Sequence, residues 1–181
     1  MQGEYGDERG HQAGAGADVH AEVQARVGNV ETIPLDEFQR VFDTNVTGAL
    51  LGIRAAAPSM RKAGGGSIVT INSVAGLAAA PELVAYSSSK WALRGLMRAA
   101  AKGLARDNNR VNAVHPGIIE TPLARHPDGT PIVPVDDFAI PRNATPDEIA
   151  NFILFTASDK AGPATGAEFV ADGGFTLGSL T

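Results

Sequence analysis

Hydrophobic positions along the chain follow two patterns, one typical of long helices and one typical of short buried strands. Apolar residues recur at helical spacing over 35–61 and again over 84–107, which predicts two long helices. Runs rich in β-branched residues predict short strands at 66–72, 110–115 and 167–171. Strands that alternate with long helices favour a parallel sheet covered on both faces. We therefore expect an α/β fold.

The segment between the last two predicted strands has a different character. Residues 116–146 contain seven of the eleven prolines and show no clear periodicity, so we expect a long loop. Two interpretations of this loop stay open: a stiff surface loop, or a pocket wall built from Ile132, Val133, Val135 and Phe138. Thr145-Pro-Asp-Glu148 has the pattern of a capping box and predicts a helix that runs to about Ala157.

Composition excludes several classes of protein. With 44% hydrophobic and 19% charged residues, the chain has the composition of an ordinary globular domain. A net charge of −5 offers no basic surface for nucleic acid, and no apolar run is long enough to span a membrane. The absence of cysteine and of a signal-peptide pattern predicts a cytoplasmic protein. Four scattered histidines lack metal-ligand spacing, so we expect no metal site.

The most informative chemistry is carried by Tyr86 and Lys90, four residues apart on one predicted helix. This spacing places both side chains on one helix face, about one turn apart. A nearby cation favours the phenolate, so we expect Lys90 to lower the pKa of Tyr86 toward neutrality. Ser73, at the end of a predicted strand, could hold a carbonyl oxygen beside the phenol. The three residues predict a proton-transfer site for a carbonyl/alcohol pair.

Each of these residues also has a simpler interpretation. A tyrosine and lysine at this spacing occur on ordinary helices as an exposed ring beside a flexible lysine. Ser73 could be a turn residue, Asn45 an exposed polar residue in a helix, and Thr121 a loop residue before proline. Only their combination and order favour function.

In that combination the chain resembles the short-chain dehydrogenase/reductase family. The resemblance rests on five motifs in family order: Thr44-Asn-Val-Thr-Gly48, Ile71-Asn-Ser-Val-Ala-Gly76, Tyr86-Ser-Ser-Ser-Lys90, His115-Pro-Gly-Ile-Ile-Glu-Thr121 and Thr165-Gly-Ala-Glu-Phe-Val-Ala-Asp-Gly-Gly174. It covers about residues 27–178. Residues 89–96 and the Val-His-Pro-Gly and Thr-Gly-Ala-Glu segments look closest to bacterial 3α/20β-hydroxysteroid dehydrogenases. The implied fold is a Rossmann-like three-layer parallel sheet.

The resemblance implies a role for each matching residue. Tyr86 would act as general acid or base, Lys90 would lower its pKa and bind the nicotinamide ribose, and Ser73 would polarise the substrate oxygen. Asn45 would hold a water of the proton relay. Tyr86, like Lys90, would also bind the cofactor. The cofactor would further meet the turn after the second strand, formed by Pro116, Gly117, Ile119 and Thr121.

The resemblance also implies partners. The cofactor would be NAD or NADP, with the hydroxysteroid likeness leaning toward NAD, and the substrate would be a small alcohol or ketone. In the family, the helices that correspond to 35–61 and 84–107 pair with their copies in a neighbouring subunit. We therefore expect a homo-oligomer.

The N-terminal part departs from the family pattern. The usual chain is near 250 residues, and the first β-α-β units of the dinucleotide fold are missing here, so we expect an incomplete fold. We divide the chain into a flexible Gly/Ala-rich leader at 1–26 and the C-terminal part of one dehydrogenase domain at 27–181. Gly10-His-Gln-Ala-Gly14-Ala-Gly16 has the spacing of a cofactor loop, but no apolar strand precedes it. We interpret it as part of the leader.

Three functional hypotheses follow from this pattern. The first is an NAD(P)-dependent oxidoreductase that interconverts a secondary alcohol and a ketone, with a hydroxysteroid as one such substrate. The second is a non-catalytic remnant that keeps Ser73, Tyr86 and Lys90 but holds no cofactor. The third is an unstable fragment without function.

Overall fold

The structure is a computed structural model that describes residues 28–126, 128–136 and 138–178. The proposed leader and its glycine cluster therefore lie outside the described residues. The described chain is α/β, as predicted, and its strands form one sheet of order β1-β2-β3 in which both pairings are parallel. The strands are β1 (Gly66–Ile71), β2 (Asn109–Pro116) and β3 (Glu168–Ala171). All three lie within two residues of their predicted bounds.

In the described part of the chain, four α-helices surround the sheet: α1 (Leu35–Phe42), α2 (Gly48–Lys62), α3 (Val84–Leu104) and α4 (Pro146–Ala157). A π-helical segment, Asp43–Thr47, joins α1 to α2. The predicted helix over 35–61 therefore exists, but with one wider turn inside it. Pro58 lies within α2 without ending it. No described helix is long and apolar enough to cross a membrane.

Strand alternation places helices on both faces of the sheet. On one face, Met97 and Ala101 of α3 form a buried cluster with Val111 and Ala113 of β2, and Ile68 of β1 packs against it. On the other face, Ser67 of β1 and Arg110 of β2 contact α4. The Ser67 hydroxyl and the Arg110 guanidinium both donate hydrogen bonds to the Thr156 carbonyl. Successive side chains of a strand point to opposite faces of the sheet, so each strand contacts helices on both sides, and three layers result.

Arg110 fixes the end of α4. Its guanidinium also donates to the carbonyls of Ala157, Ser158 and Ala161, at 3.2, 2.9 and 3.1 Å. These carbonyls include some that a helix end leaves without intrahelical donors. At the other end of α4, the predicted capping box is present between Thr145 and Glu148. Side chains at both ends therefore complete α4.

Within the described residues, β1 pairs with β2 alone. The chemistry-bearing part of the fold lies at the carboxyl ends of β1 and β2, where parallel sheets of this type place their ligands.

Candidate active site

Ser73 occupies the turn that leaves β1. Its backbone is extended, with φ −166° and ψ 159°, and its hydroxyl accepts a hydrogen bond from the Ala75 amide at 3.1 Å. The serine thereby starts a short 3-10 turn, Val74–Gly76, which runs on toward α3. Ser73 is thus a turn residue, as one interpretation held, and it also carries a hydroxyl at the ligand end of the sheet.

The 3-10 turn packs tightly against α3 because of Gly76. A Cβ at this position would lie 3.1 Å from the carbonyl oxygen of Lys90 and 3.0 Å from Oδ1 of Asn72. Neither neighbour can easily yield, since one is helix backbone and the other is a buried side chain. The absence of a side chain at Gly76 therefore brings the Ser73 turn close to the helix that carries Tyr86 and Lys90.

Tyr86 and Lys90 lie in the first two turns of α3, and both are half-buried. The Lys90 ammonium donates to the carbonyl of Ile71 at 3.1 Å and lies over the Tyr86 ring, 5.4 Å from its centroid. The Ser73 hydroxyl interacts with the Tyr86 phenol. The structure thus brings Ser73, Tyr86 and Lys90 together.

The expected direction of the Tyr86 pKa was wrong. Burial raises the pKa of Tyr86 above 10.0, and the interaction with Ser73 only partly opposes this. Burial also lowers the pKa of Lys90 from 10.5 to about 8. The same loss of water disfavours both charged forms. The helical spacing correctly predicted that the cation is near, but the pKa of Tyr86 is set by desolvation and by Ser73 rather than by Lys90.

Asn45 lies in the π-helical segment. Its side-chain amide donates to the Ser89 hydroxyl at 2.9 Å, and Ser89 in turn donates to the Tyr86 carbonyl at 2.7 Å. Ser89 is fully buried. Asn45 is therefore connected to the backbone of the Tyr86 turn, and the interpretation of an exposed helix residue is wrong.

The turn after β2 lies at the same end of the sheet. Pro116 is the last residue of β2, and the Gly117 amide donates to the Ala171 carbonyl at 3.0 Å. A Cβ on Gly117 would lie 2.7 Å from the Cα of Asp172, so this close approach requires glycine. Ile119 forms an isolated parallel bridge with Ala144, and the Thr121 hydroxyl donates to the Ile119 carbonyl at 3.4 Å.

The proline-rich loop is fastened by short contacts. It includes an antiparallel bridge between Arg125 and Pro131. Of its four proposed wall residues, Phe138 is buried with its ring 5.1 Å from that of Phe175, whereas Ile132 is exposed. Phe138 thus anchors the loop to the C-terminal segment.

Three features near the site were not predicted from the sequence. They are the π-helical segment, the paired side chains of Arg94 and Glu168, and a buried contact of His115 with Ser73. Arg94 donates to both carboxylate oxygens of Glu168, at 2.8 and 2.9 Å, and to the carbonyl of Gly76 at 2.9 Å. It therefore links α3, β3 and the Ser73 turn. Such contacts join residues far apart in sequence, so no local sequence pattern predicts them.

No group of three or more potential metal ligands occurs among the residues that the structure describes. The arrangement instead offers a phenol, an ammonium with a pKa near 8 and two hydroxyls at one end of a parallel sheet. These groups can bind an oxygen atom and move a proton to or from it.

Comparison with known proteins finds that the chain is similar to reductases and dehydrogenases. A family model described as enoyl-(acyl carrier protein) reductase matches residues 15–176. The chain is 43% identical over 154 residues to a 3-alpha-(or 20-beta)-hydroxysteroid dehydrogenase of Mycobacterium tuberculosis. The aligned region covers 84% of this chain and 57% of that protein. The chain is 42% identical over 153 residues to a trans-4-hydroxycyclohexanecarboxylate dehydrogenase of Sinomonas cyclohexanicum, with the same coverage of 84% and 57%.

The chain is also similar to solved structures of dehydrogenases. A 4-hydroxyisoleucine dehydrogenase complexed with NADH superimposes with a TM-score of 0.80 at 33% identity, covering 85% of this chain and 65% of that one. The chain thus spans somewhat more than half the length of the curated relatives that it matches.

Proposed function

The chain belongs to the short-chain dehydrogenase/reductase family, and from that premise we propose that it interconverts a secondary alcohol and a ketone with a nicotinamide dinucleotide. The observation that carries the proposal is the convergence of Ser73, Tyr86 and Lys90 at the carboxyl end of β1. A hydroxyl and a phenol that already interact can both reach one substrate oxygen.

In this proposal the phenol of Tyr86 donates a proton to the substrate oxygen during reduction and accepts it during oxidation. Ser73 holds the same oxygen through its hydroxyl. Burial raises the pKa of Tyr86, so its phenol is protonated in the cofactor-free chain. The phenol would therefore be ready to donate a proton when the enzyme reduces a ketone. Oxidation requires the phenolate, which additional positive charge near the site would favour.

Lys90 is suited to carry protons to and from this site. Its pKa of about 8 lies near neutrality, so it exchanges protons more readily than an exposed lysine. We propose that Asn45 supports the relay. One N–H of its amide is used by Ser89, and its side-chain oxygen would hold the relay water.

The residues present fit the nicotinamide end of a dinucleotide. The Lys90 ammonium has three N–H donors, one of which goes to Ile71, so others remain for a ribose hydroxyl. The hydroxyl of Thr121 and the backbone around Gly117 and Ile119 lie at the same end of the sheet and would meet the carboxamide. When bound there, the nicotinamide ring supplies hydride exchange with the substrate carbon.

The described residues do not supply the adenosine end. Their first strand is β1, and no glycine-rich turn from a strand into a helix precedes it in residues 28–65. Binding through the nicotinamide end alone would weaken affinity, and a loss of about 4 kcal/mol corresponds to about a thousandfold.

If only the nicotinamide end is bound, a second candidate function follows. In that candidate the chain is a non-catalytic member of the family that keeps Ser73, Tyr86 and Lys90 yet holds no cofactor. The two candidates differ in cofactor binding.

The deciding experiment is a titration of the folded chain with NADH and, separately, NADPH. Trp91, the single tryptophan, follows Lys90 directly, so quenching of its emission reports on a nicotinamide bound nearby. Micromolar binding, followed by turnover that Tyr86→Phe abolishes, supports the enzyme. A folded chain without binding at millimolar cofactor would sink that proposal and leave the non-catalytic candidate.

We propose cyclic secondary alcohols as the substrate class and NAD as the preferred cofactor. Support comes from the names of two relatives, one a hydroxysteroid and the other a hydroxycyclohexanecarboxylate dehydrogenase, and from a neighbour solved with NADH. A panel of cyclohexanol, hydroxysteroids and open-chain alcohols with each cofactor tests this. Faster turnover of open-chain alcohols would contradict the substrate class.

We also propose that the helices over 35–61 and 84–107, which are α1 with α2 and α3, pair with a second copy of the chain. Leu51 on α2 and Trp91 on α3 are 54% and 50% exposed, so each offers apolar surface to such a pairing. Sedimentation of the wild type and of Leu51→Lys tests this pairing. We expect the variant to shift toward the monomer, and a monomeric wild type would contradict the proposal.

A further inference from the structure

His115 is a buried side chain with a direct contact to the active-site serine. It lies on β2, one residue before Pro116, and its side chain is fully buried. Its Nδ1 atom is 3.0 Å from the backbone carbonyl oxygen of Ser73. A carbonyl oxygen can only accept a hydrogen bond, so Nδ1 carries the proton in this contact.

Within the part of the chain that the structure describes, this is the only hydrogen bond of the imidazole. Its Nε2 atom is buried and has no hydrogen-bond partner among the described residues. Burial lowers the pKa of His115 below its usual value. The hydrogen bond to the Ser73 carbonyl and the charge of Glu168 oppose this shift, whereas Arg94 and Lys90 add to it. The ring is therefore neutral at neutral pH, with the hydrogen on Nδ1.

The Ser73 carbonyl accepts a second hydrogen bond, from the Gly76 amide at 2.9 Å. Both lone pairs of this oxygen are thus in use, one toward β2 and one toward the 3-10 turn. The Ser73 side chain is held as well, because its hydroxyl accepts from Ala75. Of these three contacts, only the one from His115 comes from outside the 3-10 turn.

We propose that His115 is a positioning residue for Ser73: its Nδ1–H holds the Ser73 carbonyl and so sets where the Ser73 hydroxyl stands relative to the Tyr86 phenol. This inference rests on the proposed function for its effect on turnover, but the contact itself can be tested without turnover. Because the imidazole is fully buried, the proposal gives it no contact with substrate or cofactor.

Three substitutions separate the hydrogen bond from the bulk of the side chain. In His115→Asn the amide nitrogen is the same number of bonds from Cα as Nδ1, so the variant can still donate to Ser73. His115→Gln places its amide nitrogen one bond farther out, and His115→Leu fills space without a donor. We expect kcat to fall about tenfold to a hundredfold in the Leu and Gln variants, and the Asn variant to recover most of it.

A double-mutant cycle excludes a merely structural effect. In a Ser73→Ala background, His115→Leu should lower kcat little further, because the group that it positions is gone. The KM for the nicotinamide cofactor should stay unchanged throughout. Additive losses in kcat, or equal losses in the Asn and Leu variants, would overturn the proposal.

Nitrogen-15 NMR of the histidine ring gives a readout independent of activity. We expect the Nδ1-protonated tautomer, and hydrogen exchange at the Gly76 amide that accelerates in His115→Leu and returns toward the wild type in His115→Asn. A wild-type ring protonated on Nε2 alone, or unchanged exchange at Gly76 in His115→Leu, would overturn the contact even if the chain is active. Absence of turnover with the expected tautomer and exchange would instead count against the proposed function and leave the contact standing.

Discussion

The ammonium of Lys90 lies over the ring of Tyr86, 5.4 Å from its centroid, while its hydrogen bond goes to the carbonyl of Ile71 at the end of β1. The lysine thus joins the tyrosine helix to the strand that precedes Ser73. In this position Lys90 contacts the face of the aromatic ring and shares its dry surroundings. Burial therefore raises the pKa of Tyr86 and lowers the pKa of Lys90, which favours the neutral form of each group.

The first prediction concerns the stability of the chain as a function of pH. The pKa of Lys90 is about 8 in the folded chain and 10.5 as a reference, so the folded state binds fewer protons between these values. Its contribution to stability is greatest above pH 10.5, is lost as the pH falls to about 8, and is constant below that. The free energy of unfolding of Lys90→Met, relative to the wild type, should therefore rise as the pH falls from 10 to 8.

Urea denaturation at pH 7, 8, 9 and 10 measures this difference. Lys102→Met provides the matched control, since Lys102 is exposed on the same helix. Parallel pH profiles for the wild type and Lys90→Met would show that the lysine is not desolvated.

The second prediction concerns the phenol. Because burial raises the pKa of Tyr86, its phenolate should form only above pH 10 in the cofactor-free chain. The chain has two tyrosines, so subtracting the ultraviolet titration of Tyr86→Phe from that of the wild type isolates this group. A midpoint below 10 in the difference spectrum would mean that Lys90 outweighs burial, as the sequence alone suggested.

The third prediction concerns the ion pair between Arg94 and Glu168. The two side chains are only 20% and 17% exposed, and the contact is bidentate. Glu168→Gln weakens it and should reduce the free energy of unfolding by about 1–3 kcal/mol.

The pair of Arg61 and Asp107 serves as the control, because its side chains are 52% and 27% exposed. Asp107→Asn should cost less than about 1 kcal/mol, since water screens a surface pair. Chemical denaturation at pH 7 compares the two variants, and equal costs would argue against a special role for the Arg94 link.

The fourth prediction concerns the close approach at Gly117. Alanine there would bring its Cβ within 2.7 Å of the Asp172 backbone, so β2 and the segment after β3 would have to separate. We expect a loss of about 1–3 kcal/mol for Gly117→Ala. Gly103→Ala on α3 meets nothing within 4 Å and should be neutral or stabilise by about 0.5 kcal/mol. A neutral Gly117→Ala in thermal denaturation would contradict the predicted clash.

The layout of the fold was predictable because buried strands and amphipathic helices leave strong local patterns. The predicted strand at 110–115 matches β2, and the predicted helix at 84–107 matches α3 and its short 3-10 extension. The π-helical segment was not predictable, since one wider turn barely disturbs the spacing of apolar residues. The order of strands brings His115 beside Ser73, and this order is a property of the whole sheet.

The site shows the same division. The spacing of Tyr86 and Lys90 correctly predicted a shared helix face, because that spacing is a property of the helix alone. The direction of the Tyr86 pKa was wrong, since desolvation depends on how α3 packs against the turn after β1.

The π-helical segment Asp43–Thr47 has a consequence for how this chain tolerates changes in length. A π turn amounts to one residue more than an α turn, so deleting one residue there would restore regular α-helical hydrogen bonding. Because the wider turn already takes up that residue, the deletion would leave α1 and α2 in nearly their present relative rotation. Val41 would then stay on the buried side of α1. The π turn thus carries one residue more than a regular helix needs without changing which face of α1 is buried, so we expect the fold to tolerate a one-residue deletion there better than a deletion inside α2 or α3.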